Sequence, residues 1–209
     1  MPGNAFMVLP DEFNAATYFI DRHIADGQGQ KVAIECGELN VTYQQLFEMV
    51  NRVGSCLRKL GVRIEERVFL LLFDTPEFAA SFFGAIKIGA VPVPINTLLK
   101  PADYNYLLND SRARIAIVSE ALLPLIKAIP GQCLRFLETI LVVGTESWPG
   151  ILNFADTLSE SSSILDAVST SKDDAAFWLY SSGSTGRPKA CVHLQHDMVV
   201  SSEAYAKAS

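Results

Sequence analysis

Ten residues, Tyr180-Ser181-Ser182-Gly183-Ser184-Thr185-Gly186-Arg187-Pro188-Lys189, hold two glycines, four serine or threonine hydroxyls, one proline and two cations. Glycine lets a backbone bend sharply and approach a ligand closely. Successive backbone N–H groups and hydroxyls can donate to phosphate oxygens, and Lys189 can supply a compact positive charge. The pattern is that of a loop built to hold a polyphosphate. Serine- and glycine-rich runs are more often plain surface turns. The flanks argue otherwise here. Ala175-Ala176-Phe177-Trp178-Leu179-Tyr180 reads as one buried strand before the loop, and Cys191-Val192-His193-Leu194 as another after it. The segment is not a Walker A loop, which needs glycine, four residues and then Gly-Lys-Ser/Thr. Its glycines are three apart, and Arg187-Pro188 separates the second from Lys189.

The run from Ser181 to Lys189 resembles the signature loop of the adenylate-forming enzymes: acyl- and aryl-CoA synthetases, luciferases and peptide-synthetase adenylation domains. In the form Trp178 to Lys189 it is most similar to the benzoate-CoA ligase branch. Three further stretches carry the same likeness: Gly89 to Leu99, Asn109 to Arg114, and Glu203 to Ala208. The resemblance runs from about Asp11 to the last residue. One departure is visible: the family has glycine after Pro-Lys, and Ala190 stands here. Alanine does not readily take positive φ, so the backbone at 190 must be extended or the loop altered.

The resemblance implies ATP-dependent activation of an aromatic carboxylate, benzoate or a close analogue, first to an acyl-adenylate and then to a CoA thioester, releasing pyrophosphate and AMP. ATP, Mg2+ and coenzyme A are the implied cofactor and co-substrates. It assigns Ser181, Ser182, Ser184 and Thr185 as hydroxyl donors, Gly183 and Gly186 as points of backbone access, and Lys189 as the phosphate cation. Arg187 reads as solvated. No residue is assigned a catalytic or metal-ligating role. In the resembled family the adenine-binding segment, the magnesium-binding glutamate, the ribose-binding aspartate, the adenylation lysine and most of the acyl pocket lie further downstream. The expectation is therefore that residues 1–209 are the N-terminal portion of the AMP-binding large domain, without the small C-terminal domain, and inactive alone. Two other readings stay open: a different acyl-CoA synthetase or carrier-loading adenylation domain, and a non-catalytic nucleotide-binding or interaction module. His193 and His196 are not assigned to catalysis, since a lone histidine in a strand is usually a hydrogen-bonded core residue. Trp178 and Tyr180 read as core aromatics, and Ile95-Asn96-Thr97 as a turn.

The elements that must position this loop alternate in type. Residues 31–35 and 39–43 flank Cys36-Gly37-Glu38 as a hairpin. Thr42 and Gln45 have capping-box spacing, and Leu46, Met49, Val50, Val53, Leu57 and Leu60 trace a helical stripe that Gly61 ends. Strands are expected at 67–73, 91–95 (short, because of its prolines), 114–118 and 139–143. Helices are expected from Pro76 to Ile88 and over 102–108, 120–129 and 153–158, with a last one from about Gln195. Ser159 to Ser171, rich in serine and acids, reads as a surface connection. Strands alternating with helices imply βαβ units: an α/β fold, layered around a mainly parallel sheet covered on both faces.

Composition narrows the class. With 209 residues, 49% hydrophobic and 19% charged, the chain can bury a sizeable core. A net charge of −6 without a basic stripe argues against nucleic acid as a partner. The four cysteines are scattered, with no CxxC pair, and read as reduced thiols. The start lacks the cationic leader of a signal peptide. The longest apolar run, Phe82 to Ile95, is broken by Lys87 and two prolines, which argues against a membrane span. A cytoplasmic enzyme is expected, and assembly as a homo-oligomer is left open.

Overall fold

The computed structural model describes residues 8–181 and 186–208. After a short helical entry ending in α1 (Arg22–Ala25), β1 (Val32–Cys36) and β2 (Leu39–Thr42) form an antiparallel hairpin. α2 (Tyr43–Lys59) starts on the expected capping box: Gln45 N–H donates to Thr42 Oγ1 at 3.3 Å, and Thr42 N–H to Gln45 Oε1 at 2.8 Å. Then follow β3 (Arg67–Leu71), α3 (Pro76–Lys87), β4 (Val91–Pro94), α4 (Pro101–Ser111), β5 (Ile115–Ser119), α5 (Leu123–Lys127), β6 (Thr139–Val143), β7 (Leu152–Asn153) and α6 (Phe154–Ser159). The expected helix over 120–129 is split. Residues Glu120–Leu122 are a 3₁₀ turn, and α5 begins only where Pro124, which has no N–H to give, can sit in its first turn. The chain ends in β8 (Ala175–Ser181), β9 (Lys189–Leu194) and α7 (Asp197–Ala208).

The central sheet has five parallel strands in the order β4-β3-β5-β6-β7. Parallel strands need crossover helices, and these cover both faces. Side-chain alternation sorts the core into two layers. Val68, Leu70, Ile115, Ile117 and Leu141 face α2, α3 and α6, whereas Phe69, Leu71, Ala116, Val118 and Val142 face α4 and α5. All ten are buried, and burying a Leu, Ile or Phe side chain contributes about 1.5–3 kcal/mol. β4 is an edge strand with proline at 92 and 94. Its other residues serve the sheet: Val91 N–H donates to Glu66 O and Ile95 N–H to Leu70 O.

The α2–α3 layer is held by a tight seam and a buried ion pair. Gly54 and Gly84 face one another across it, with Gly84 against Val53 and the Val50 carbonyl. Lys87, only 1% exposed, gives its ammonium to Asp21 Oδ1 and Asn51 Oδ1, each at 2.7 Å. The lysine that interrupts the apolar run in the sequence is thus an interior residue with two partners. The expected surface connection, Ser159 to Ser171, is largely at the surface and is pinned to the helices beneath it. Asn51, Arg52 and Lys59 donate to the carbonyls of Ser163, Ser161 and Glu160, and Val168 N–H donates to Lys87 O. Thr170 exchanges hydrogen bonds with Phe13 and is buried. Backbone polar groups laid on a core must be paired, and here helix side chains pair them.

Candidate functional site: the β8–β9 hairpin

The two strands that bracket the serine-glycine segment pair with each other. β8 and β9 are antiparallel, with Phe177 opposite His193, Tyr180 opposite Ala190 and Ser181 opposite Lys189 on the last rung. The segment therefore connects the two strands of a hairpin. The sequence expectation of two core strands is corrected: only Ala176 and Phe177 of this pair are buried, while Leu179 is 41% and Val192 51% exposed. Phe177 roots the hairpin, its ring 5.3 Å from that of Phe82 on α3. Trp178 and Tyr180 are half-buried rather than core aromatics. Trp178 carries the Arg67 guanidinium 5.4 Å from its ring centre.

Ser181 and Lys189 face each other across the mouth of the hairpin, both exposed. Ser181 Oγ lies 3.7 Å from Cys191 Sγ. Gly186 has φ +134°, a region that side-chain-bearing residues rarely enter, while a Cβ there would meet nothing within 4 Å. Its glycine is required by backbone conformation rather than by space. Ala190 lies in β9 on a regular rung and is not among the positive-φ residues. Its methyl is tolerated because the backbone there is extended. Ser182, Gly183, Ser184 and Thr185 lie outside the described residues. Arg187 is exposed, its guanidinium 5.0 Å from the centre of the Tyr106 ring.

Helix α4 contributes Tyr106 and Asp110, neither of which the sequence assigned to the site, although Asp110 lies in a stretch that carries the family likeness. Tyr180 Oη donates to Asp110 Oδ2 at 2.7 Å, and Tyr106 Oη donates to the Pro188 carbonyl at 3.0 Å. Burial, then the hydrogen bond to Asp110, push the Tyr180 phenol far above its ordinary range, so it remains a neutral donor. The available signal was the i, i+4 spacing of Tyr106 and Asp110, which places both on one face of α4.

The histidines take structural partners. His193 stacks on Phe177 at 4.5 Å with the rings 4° from parallel. His196 lies between Asp173 and Asp197, each 3.2 Å away. Beside the root of the hairpin a shallow, open and mainly apolar groove is lined by Phe19, Phe83, Phe177, His193, Met198 and Tyr205, among others. Asn96 caps the turn after β4, accepting from Leu98 N–H at 2.9 Å. Among the described residues no cluster of three or more His, Cys, Asp or Glu side chains is placed to hold a metal ion, no helix is long and apolar enough to cross a membrane, and the four cysteines are unbridged. Among the described residues, the Ser181 hydroxyl and the Lys189 ammonium at the hairpin mouth are groups able to donate to an anion.

Comparison with known proteins places this geometry. Residues 21–208 match the family described as AMP-binding enzyme. The chain is 42% identical over 200 residues to the benzoate--CoA ligase of Thauera aromatica, covering 95% of this chain and 37% of that protein. It is 40% identical over 192 residues to the 4-hydroxybenzoate--CoA/benzoate--CoA ligase of Rhodopseudomonas palustris, covering 92% and 35%. Among solved structures, the anthranilate CoA ligase AuaEII in complex with anthranoyl-AMP superposes with a TM-score of 0.89 at 38% identity, over 93% of this chain and 37% of that one. The chain thus spans little more than a third of the length of these proteins.

Proposed function

We propose that this chain, which belongs to the AMP-binding enzyme family, holds the ATP phosphates in an AMP-forming ligase that converts an aromatic carboxylate to its adenylate and then to its CoA thioester. The observation that carries the reading is the Trp178–Lys189 sequence within an antiparallel hairpin, in a chain 42% identical to a benzoate--CoA ligase.

The chemistry needs what this sequence offers. A carboxylate is a poor acyl donor, and attack on the ATP α-phosphate turns it into a good one. The barrier is lowered by positioning the phosphates and spreading their charge. Lys189 would supply the charge, Ser181 a hydroxyl, and the segment between them further donors, with Gly186 allowing the backbone to turn. Such a donor set suits phosphate oxygens rather than Mg2+, so Mg2+ is proposed only as the companion of ATP. Benzoate or a close analogue is the proposed acid. The likeness to ligases named for benzoate and 4-hydroxybenzoate supports an aryl acid. Coenzyme A is the proposed thiol.

The test is a chimera in which residues 1–209 replace the matching stretch of the Thauera aromatica ligase. We expect pyrophosphate release that depends on ATP and benzoate, followed by benzoyl-CoA. A folded chimera that binds no ATP would end the nucleotide reading. The acid is tested separately, on this chain joined to its own downstream sequence: a preference for octanoate or acetate over benzoate there would end the aryl assignment alone.

A further inference from the structure

We propose that Tyr106 and Asp110 of α4 are positioning residues that fix the distance and orientation of Ser181 and Lys189 at the hairpin mouth; this rests on the reading above that the mouth holds nucleotide phosphates. The two residues take hold of opposite legs. Asp110 accepts from Tyr180 on the incoming strand, and Tyr106 donates to Pro188 O on the outgoing one. Tyr180 immediately precedes Ser181, and Pro188 immediately precedes Lys189. Asp110 Oδ1 lies 3.5 Å from Tyr106 Oη, so the two anchors stand side by side, with the single phenol proton of Tyr106 given to Pro188 O. Arg187 adds a cation over the Tyr106 ring.

The hairpin needs such a hold. A two-stranded ribbon is marginal by itself, and Leu179 and Val192 leave much of this one uncovered. Donors held in place before the ligand arrives spend no binding energy on ordering. The anchors are also separable from folding. α4 packs into the core through Tyr104, Leu107, Leu108 and Ser111, whereas Asp110 is exposed and Tyr106 half-buried.

The experiment titrates the 209-residue chain with tripolyphosphate by calorimetry. Amide hydrogen exchange over 178–181 and 186–190 and a thermal melt are followed in parallel. Tyr106→Phe combined with Asp110→Ala should weaken binding about tenfold, the worth of one or two hydrogen bonds. It should also speed exchange at the hairpin mouth while the melt of the sheet stays in place. Asp110→Asn keeps an acceptor for Tyr180 and removes a negative charge near the anion, so it should bind as tightly as the parent or more so. Tyr180→Phe, which deletes only the hydroxyl that Asp110 holds, should reproduce part of the double variant's loss while leaving the Asp110 charge in place. A parent chain that binds tripolyphosphate while the double variant matches it would overturn the positioning role. A parent that fails to bind would overturn the phosphate reading, and this proposal with it.

Discussion

Replacing Gly84 with alanine sets two opposing effects against each other at the α2–α3 seam. Alanine is the better helix former by about 1 kcal/mol, so propensity alone favours the substitution in the middle of α3. Space opposes it. A Cβ at 84 would stand 2.8 Å from both Cβ and Cγ1 of Val53 and 3.0 Å from the Val50 carbonyl oxygen. Carbon atoms are comfortable at about 3.5–4.0 Å, so something must retreat by roughly 0.7–1.2 Å. Val53 is β-branched and held to one rotamer in a helix, and Val50 O is backbone. The helices themselves must part, which places the cost at the upper end of the 1–3 kcal/mol typical of overpacking. The net expectation is a loss of about 2 kcal/mol. Urea unfolding followed by circular dichroism should show a lower midpoint with unchanged slope. Gly131→Ala, where a Cβ would meet nothing within 4 Å, serves as the control and should be neutral. A Gly84→Ala protein as stable as the parent would show slack in the seam and refute the reasoning. The same shift should reach the hairpin, because Phe82 lies on α3 against Phe177.

Further outcomes are expected. In the chimera, Lys189→Ala should slow adenylate formation by about 2–4 kcal/mol while sparing thioester formation from preformed benzoyl-AMP; equal losses in both half-reactions would show that the lysine acts otherwise. Burial pushes the Cys56 thiol up to about 11, while Cys191 is exposed. At about pH 8 a disulfide reagent should label Cys191 readily and leave Cys56 untouched until the chain is unfolded; similar rates at both would contradict the burial argument. Hydrogen bonds from Lys172 and Arg114 hold the Asp11 and Glu138 carboxyls below their usual range. Their contribution is present above the ordinary carboxylate pKa and lost as pH falls through the depressed values. Because both acids lie at the surface, the loss on acidification should be small and should shrink further in high salt; a large, salt-insensitive change would mean the pairs are shielded from water.

Elements were legible where one local signal was enough. The capping box at Thr42 and the stripe behind it mark α2, and the β-branched run 139–143 marks β6. The alternation of strands and helices fixes a parallel sheet, because only crossovers connect parallel strands. What escaped was set by tertiary context. The apolar run before the serine-glycine segment looks like a core strand, yet its partner is the strand just after that segment, and the pair lies half in solvent. Lys87 looks like an interruption of an apolar run, and its acceptors sit 66 and 36 residues away. Asp110 and Tyr106 are ordinary polar residues of a helix until the hairpin is laid across them. The residues able to do chemistry were visible as a motif, and those that hold them were not, because a hold is a relation between distant segments.

The prolines of β4 have a mechanical consequence. Val91 and Ile95 spend their N–H groups toward β3. Pro92 and Pro94, which alternate with them, have none to offer on the other side. β8 runs close beside this edge, yet among the described residues no ladder joins them. The edge therefore acts as an insulator. It lets the hairpin rest against the sheet without being stitched into it, so the mouth of the hairpin can be adjusted by its side-chain ties and aromatic root while the parallel core behind it stays unchanged.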